Sequence, residues 1–185
     1  MMGVSNNGAP HPELVVLVDE QGRSIGTAPK SEVHHDTTPL HLAFSCYLFD
    51  PAGNVLMTRR ALDKRAFPGV WTNSFCGHPG PGEELDSAVQ RRALTELGVP
   101  VTDLRCVLPD FRYHAVDAAG VAENELCPVY RAVAAGPVVA DPAEVMDWVW
   151  VSWAQLRDAA RSPWLISPWM AEQVPLLEAA DAHVS

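Results

Sequence analysis

Three segments of this chain concentrate the side chains that can move protons or hold ions. Trp71-Thr72-Asn73-Ser74-Phe75-Cys76-Gly77-His78-Pro79 carries a thiol and an imidazole two residues apart. Glu123-Asn124-Glu125-Leu126-Cys127-Pro128 carries two carboxylates at the same spacing. Residues two apart on an extended strand share a face, so Cys76 is expected to point with His78, and Glu123 with Glu125. Two carboxylates on one face repel each other unless a cation or a shared proton lies between them. His34, His41 and His78 offer imidazoles to such a cation. Three imidazoles with two carboxylates suit Mn²⁺, Zn²⁺ or Fe²⁺, whereas Mg²⁺ prefers oxygen ligands. Each residue also has a plainer reading. A free cysteine usually packs as a small hydrophobe, the expectation kept for Cys46, Cys106 and Cys127, and Glu123 and Glu125 can simply face solvent at a strand edge. The third segment, Arg59-Arg60-Ala61-Leu62-Asp63-Lys64-Arg65, holds four cations, and Lys30 and Lys64 are the only lysines. The chain as a whole is acidic, with 13 Lys+Arg against 23 Asp+Glu and a formal net charge of -10. That local reversal of sign reads as an anion funnel.

These residues need elements to carry them. Leu14 to Val18 is an apolar run closed by Asp-Glu-Gln-Gly, hence a strand. His41 to Phe49 is rich in strand formers, and Asp-Pro-Ala-Gly-Asn at 50–54 turns it into Val55 to Arg59 as a hairpin. From Glu83 to Leu97 the period changes. Leu85, Val89, Ala93 and Leu97 recur every four residues, with Gly98 where a helix should stop. Arg92 and Glu96 then share one face of that helix. Pro109 to Tyr113, Asn124 to Val133 and Trp148 to Val151 read as strands, Trp153 to Arg161 as a short helix, and Pro168 to Ala180 as a last helix opened by proline. An α+β domain is expected, with a hairpin-rich mixed sheet and helices packed on its faces.

Size and composition narrow the class further. With 185 residues and 48% hydrophobic content, the chain suits a single globular domain, expected over 13–180, behind a disordered N-terminal tail at 1–12. The acidic balance argues against nucleic acid as partner. No apolar run is long enough to span a membrane, and the first residues lack a secretory pattern. Four cysteines without a CxxC pair fit a reduced, cytoplasmic setting. A monomer or weak homodimer is expected.

The stretch Gly77-His-Pro-Gly-Pro-Gly-Glu-Glu-Leu-Asp-Ser-Ala-Val-Gln-Arg-Arg-Ala-Leu-Thr-Glu-Leu-Gly-Val99 resembles the Nudix box. Gly77, Glu83, Arg91, Glu96, Gly98 and Val99 fall on its spacing, but Arg92 and Thr95 stand where that pattern has glutamates. One carboxylate can grip a Mg²⁺-diphosphate, yet it is poorly equipped to activate water for hydrolysis. A plain ion pair between Arg92 and Glu96 on the helix surface is the alternative. Across residues 13 to 175, the segments LHLAFSCYLF, TRRALDKRAFPGVWTNSFCGHP, PDFRYHA, ENELCP and SPWM resemble type I isopentenyl-diphosphate Δ-isomerases, which are Nudix-related. The resemblance implies interconversion of isopentenyl and dimethylallyl diphosphate through a tertiary carbocation. It implies Cys76 and Glu125 on opposite faces of the prenyl unit, helped by Tyr113, with Trp169 facing the cation. It implies a Mn²⁺ or Zn²⁺ site at His34, His41, His78, Glu123 and Glu125, and Mg²⁺ at Glu96 and the backbone carbonyl of Cys76. Lys30, Arg60, Lys64 and Arg92 match the diphosphate-contacting positions.

Overall fold

A computed structural model describes residues 13–182; the tail expected at 1–12 lies outside them. Twelve strands and four helices are present among these residues. Strands β1 (Leu14–Val18), β2 (Ser24–Pro29), β3 (His41–Leu42), β9 (Arg112–Val116) and β10 (Ala122–Leu126) form one sheet in the order β2-β1-β3-β10-β9. The second sheet runs β12 (Val145–Val151), β5 (Val55–Arg60), β4 (Phe44–Phe49), β11 (Val129–Ala134), β8 (Val101–Leu108), with β6 (Trp71–Thr72) beside β5 and β7 (Phe75–Gly77) beside β4. The expected α+β class and its hairpins are present, but the single mixed sheet is two sheets.

Two expected strands therefore break. His41 to Phe49 divides at Ala43, and Asn124 to Val133 divides at Cys127-Pro128. Pro128 has no N–H to give a ladder. Both breaks occur at the same level, because β3 runs parallel to β10 and β4 runs parallel to β11. The two strands leave one sheet and enter the other together, stitched by Ala43 N–H donating to Leu126 O and Ser45 N–H donating to Pro128 O. The strand expected at 109–113 begins only at Arg112. β2 and β8 were not foreseen; four of the eight residues of β8, Thr102, Asp103, Arg105 and Cys106, are exposed, and the run is too polar to read as a strand. Cys106 lies on it and is exposed, correcting the expectation that it is buried; Cys46 and Cys127 are buried.

Alternation along β4 divides the core. Phe44, Cys46 and Leu48 face α2 (Leu85–Leu97) and pack with Ala88, Val89, Ala93 and Leu97. Tyr47 faces the other way, toward Trp169, Met170, Val174 and Leu177 of α4 (Pro168–Ala182). A fully buried side chain such as Leu97 or Leu177 contributes about 1.5–3 kcal/mol. Gly98 ends α2 in the left-handed region at φ 61, as its place after the last apolar repeat predicts. α3 (Trp153–Ala160) starts at a capping box between Ser152 and Gln155, and α1 (Lys30–Val33) is a single turn. No helix among the described residues is long and apolar enough to cross a membrane.

Candidate active site

Strand register assembles one wall. Glu125 of β10 is paired with His41 of β3 on one side and with Tyr113 of β9 on the other. Cross-strand partners share a face, so imidazole, carboxylate and phenol stand in a row. Glu123, two residues earlier, joins that face, and His34 follows α1. The opposite wall comes from the second sheet, where β7 pairs with β4 and sets Cys76 against Ser45. His78 follows β7 and reaches across to the first wall.

The histidines and Glu125 converge. His78 Nε2 is 3.2 Å from His41 Nε2 and 3.2 Å from Glu125 Oε1, and Glu125 Oε1 is 3.5 Å from His41 Nε2. One ligand atom from each of His34, His41, His78 and Glu125 lies within 4.8 Å of the others. Opposite donors about an ion with bonds of ~2.1 Å are ~4.2 Å apart, so a small side-chain adjustment brings all four to one ion. Glu123 stands just outside this quartet, with Oε2 3.0 Å from His34 Nε2. That oxygen is buried and, close as it is to His34, lies outside hydrogen-bonding geometry, while His78 Nδ1 is buried with no hydrogen-bond partner. His41 Nδ1 lies 2.9 Å from the Pro39 carbonyl; an N–H donated there would free the Nε2 lone pair for an ion once the proton that Nε2 shares with Glu125 is displaced. Burial pushes the His78 imidazolium down to about 4, leaving that ring neutral at pH 7, the form a metal requires. Burial alone would raise the Glu125 carboxyl, but hydrogen bonds from His41 and His78 outweigh it and hold the group well below the usual carboxylate range. A converging set of imidazoles, an ionised buried carboxylate and a second buried carboxylate oxygen beside them fits a divalent metal ion.

Cys76 Sγ is 3.4 Å from Ser45 Oγ and 3.4 Å from Asn73 Oδ1. Burial pushes its thiol up, against the hydrogen bond from Ser45. Burial likewise pushes the Tyr113 hydroxyl well up, reinforced by Glu125 and Glu123, so the phenol stays protonated. Trp169, at the start of α4, packs edge-on to Phe67 at 5.3 Å between ring centroids and tilted against Tyr113 at 5.4 Å.

A cavity of about 440 Å³ joins these groups. It is lined by Cys76, Tyr113, Glu125 and Trp169, and also by Lys30, Arg60, Lys64 and Arg92. His34, His78 and Glu123 reach it, while His41 is fully buried behind them. Glu96 does not line this cavity but a small neighbouring space of about 20 Å³, which shares Cys76, Arg60 and Lys64 with it. Its ion pair with Arg92 is buried, not on the helix surface as the alternative reading had it. Breaking one partner of such a pair costs about 3–5 kcal/mol. Gly77 leaves room for the Arg92 stem: a Cβ there would stand 2.7 Å from Arg92 Cγ and 2.9 Å from Phe44 Cζ. Lys30 pairs with Glu13 at 2.9 Å, and Lys64 with Glu144. Burial and the neighbouring Arg60, Arg92 and Lys30 pull the Lys64 ammonium down to about 7. Arg60 donates to the carbonyls of Ala66 and Phe67, with its guanidinium carbon 5.5 Å from the Trp169 ring centroid.

Sequence reasoning did not find Glu144, Ser45, Asn73 or Gln173. Glu144 opens Glu144-Val-Met-Asp-Trp-Val-Trp150, a segment that also carries the resemblance, but its residue type gave it no role. Gln173 had a signal, a lone amide on the apolar side of a helix, where it is fully buried and donates to Ser45 Oγ at 2.9 Å.

The chain belongs to the Nudix family: a NUDIX domain matches residues 39–177. Its fold is shared with a solved Deinococcus radiodurans protein, DR0079, at a TM-score of 0.69 and 18% identity, covering 89% of this chain and 99% of that one. Within the family it is 67% identical over 168 residues to the isopentenyl-diphosphate Delta-isomerase of Mycolicibacterium vanbaalenii, covering 91% of this chain and 93% of that relative. Its identity to the isopentenyl-diphosphate Delta-isomerase of Clavibacter michiganensis subsp. michiganensis is 59%, covering 90% of this chain and 87% of that one.

Proposed function

We propose that this chain interconverts isopentenyl diphosphate and dimethylallyl diphosphate, with Cys76 and Glu125 as the two proton-transfer groups. One observation carries the proposal: a thiol from one sheet and a carboxylate from the other line the same cavity, which five cations also line. Moving the double bond requires a proton to enter at one carbon and another to leave elsewhere. Groups on facing walls can do both without large motion. The intervening tertiary carbocation needs an electron-rich wall in a dry site, and the buried face of Trp169, worth roughly 2 kcal/mol or more when desolvated, supplies it. The protonated Tyr113 hydroxyl, beside Glu125, assists the proton's passage.

A divalent ion at His34, His41, His78, Glu123 and Glu125, of Mn²⁺ or Zn²⁺ type, would orient Glu125 and set its proton affinity. The chain's own part is to keep Glu125 ionised and His78 neutral before the ion arrives. Lys30, Arg60, Lys64 and Arg92 hold the diphosphate, and Glu96 with the backbone carbonyl of Cys76 would receive its Mg²⁺. Arg92 and Thr95 occupy positions where hydrolytic chemistry needs carboxylates, which disfavours a nucleotide hydrolase. Four free thiols suit a reducing, cytoplasmic setting.

Incubation with isopentenyl diphosphate in heavy water tests the assignment. Dimethylallyl diphosphate carrying deuterium at C4 is expected. Release of inorganic phosphate without isomer would overturn it.

A further inference from the structure

Two of the groups placed at the reacting carbons, the Cys76 thiol and the Trp169 indole, come from elements far apart in sequence and share a single hydrogen-bond partner. That partner is the side-chain oxygen of Asn73, in the connector between β6 and β7, and fully buried. Its amide has one possible orientation. Nδ2 donates to the carbonyls of Cys46 at 3.0 Å and Phe75 at 2.9 Å, so Oδ1 is left as acceptor on the site side. Three donors approach that oxygen: Trp169 Nε1–H at 2.9 Å, Thr72 Oγ1–H at 2.9 Å and the Cys76 thiol at 3.4 Å. A carbonyl oxygen has two lone pairs. Two firm bonds use them, and the longer contact from sulfur aims the S–H without gripping it.

The mount is rigid. Thr58 Oγ1 donates to the Asn73 carbonyl at 2.9 Å. Next to it, Ser74 Oγ donates to Leu56 O and accepts from Leu48 N–H, both at 2.7 Å. The connector is thus bolted to β4 and β5 by its backbone and by both side chains. The indole has one N–H and no other polar atom, so its bond to Asn73 fixes how the ring turns about its packing against Phe67 and Tyr113.

Resting on the isomerase reading, we infer that Asn73 is a positioning residue: its side-chain oxygen sets the S–H direction of Cys76 and the ring angle of Trp169 together. A misplacement near 1 Å at a reacting centre costs about 10²-fold in rate. A buried asparagine that merely satisfied the fold would instead affect stability alone.

Ser74→Ala separates the two cases, because Ser74 shares the connector and its burial but touches neither Cys76 nor Trp169. Both variants are assayed below their melting temperatures. Asn73→Ala is expected to lower kcat about 10²-fold relative to Ser74→Ala, with KM and the inhibition constant of inorganic diphosphate unchanged. The indole N–H resonance of Trp169, identified by its loss in Trp169→Phe, is expected to shift in Asn73→Ala and to stay in place in Ser74→Ala. In the double variant Asn73→Ala/Trp169→Phe the losses are expected to be less than additive. If Asn73→Ala does not fold, Asn73→Ser, whose hydroxyl can still serve one of the two carbonyls, carries the same measurements. A kcat within threefold of that of Ser74→Ala, or an unmoved indole resonance, overturns the inference while leaving the isomerase reading intact. An inactive wild-type chain would instead overturn that reading.

Discussion

At the scale of single residues, the chemistry depends on keeping reactive groups dry without leaving them unpaired. Cys76 and Glu125 illustrate opposite outcomes of burial. The thiol has weak partners and is pushed up toward the neutral form. The carboxyl has two imidazoles against it and stays ionised. One wall therefore presents a proton and the other a site to receive one. Cys76→Ala and Glu125→Gln, each close to its parent in volume or shape, are expected to lower kcat by at least about 10³-fold, roughly 4 kcal/mol of barrier, while the far-ultraviolet dichroism is retained. Either variant turning over isopentenyl diphosphate at near wild-type rate contradicts the assigned roles.

At the scale of elements, two glycines in the same helix-and-loop unit do different work, and substitution should separate them. Gly98 terminates α2 at positive φ, and a Cβ there would meet the Val139 carbonyl oxygen at 2.7 Å. Gly98→Ala should lower stability by about 1 kcal/mol or more, seen as a lower melting temperature with KM little changed. Gly77→Ala should displace Arg92 and weaken the grip on diphosphate, seen chiefly as a higher KM. Equal effects on KM would undo this separation. These glycines, the apolar repeat of α2 and the pairs Cys76/His78 and Glu123/Glu125 were legible because local spacing determines them. The break at Cys127-Pro128 was not, since two apolar segments joined by one proline look like a single strand until each finds a separate sheet. Nor could local pattern find Glu144 or Asn73, whose roles come from partners far along the chain. Lys64 is 80 residues from Glu144 and Trp169 is 96 from Asn73. The small cavity at Glu96, beside the larger one, was equally invisible, because helix periodicity gives a face but no depth.

At the scale of the whole molecule, five cations of an acidic chain line one cavity, and the proposed ion would tie the sheets together. His34, His41 and Glu125 stand on the first sheet or beside it, and His78 extends from the second. Chelation should therefore abolish turnover and also lower the melting temperature, because an ion bound only by the folded state stabilises it by mass action. Mn²⁺ or Zn²⁺ with Mg²⁺ should restore both. A melting temperature unmoved by chelation, in protein shown by elemental analysis to have lost its ion, would count against the bridge. The cations facing the cavity have a consequence of their own. In this structure Lys30, Lys64 and Arg92 already rest against Glu13, Glu144 and Glu96. On the proposed reading an incoming headgroup would trade places with those carboxylates, which would stand ready to reclaim the positive charges when it departs. Arrival is made less avid and departure less costly, which suits a catalyst whose two reactants carry the same headgroup and must both come and go.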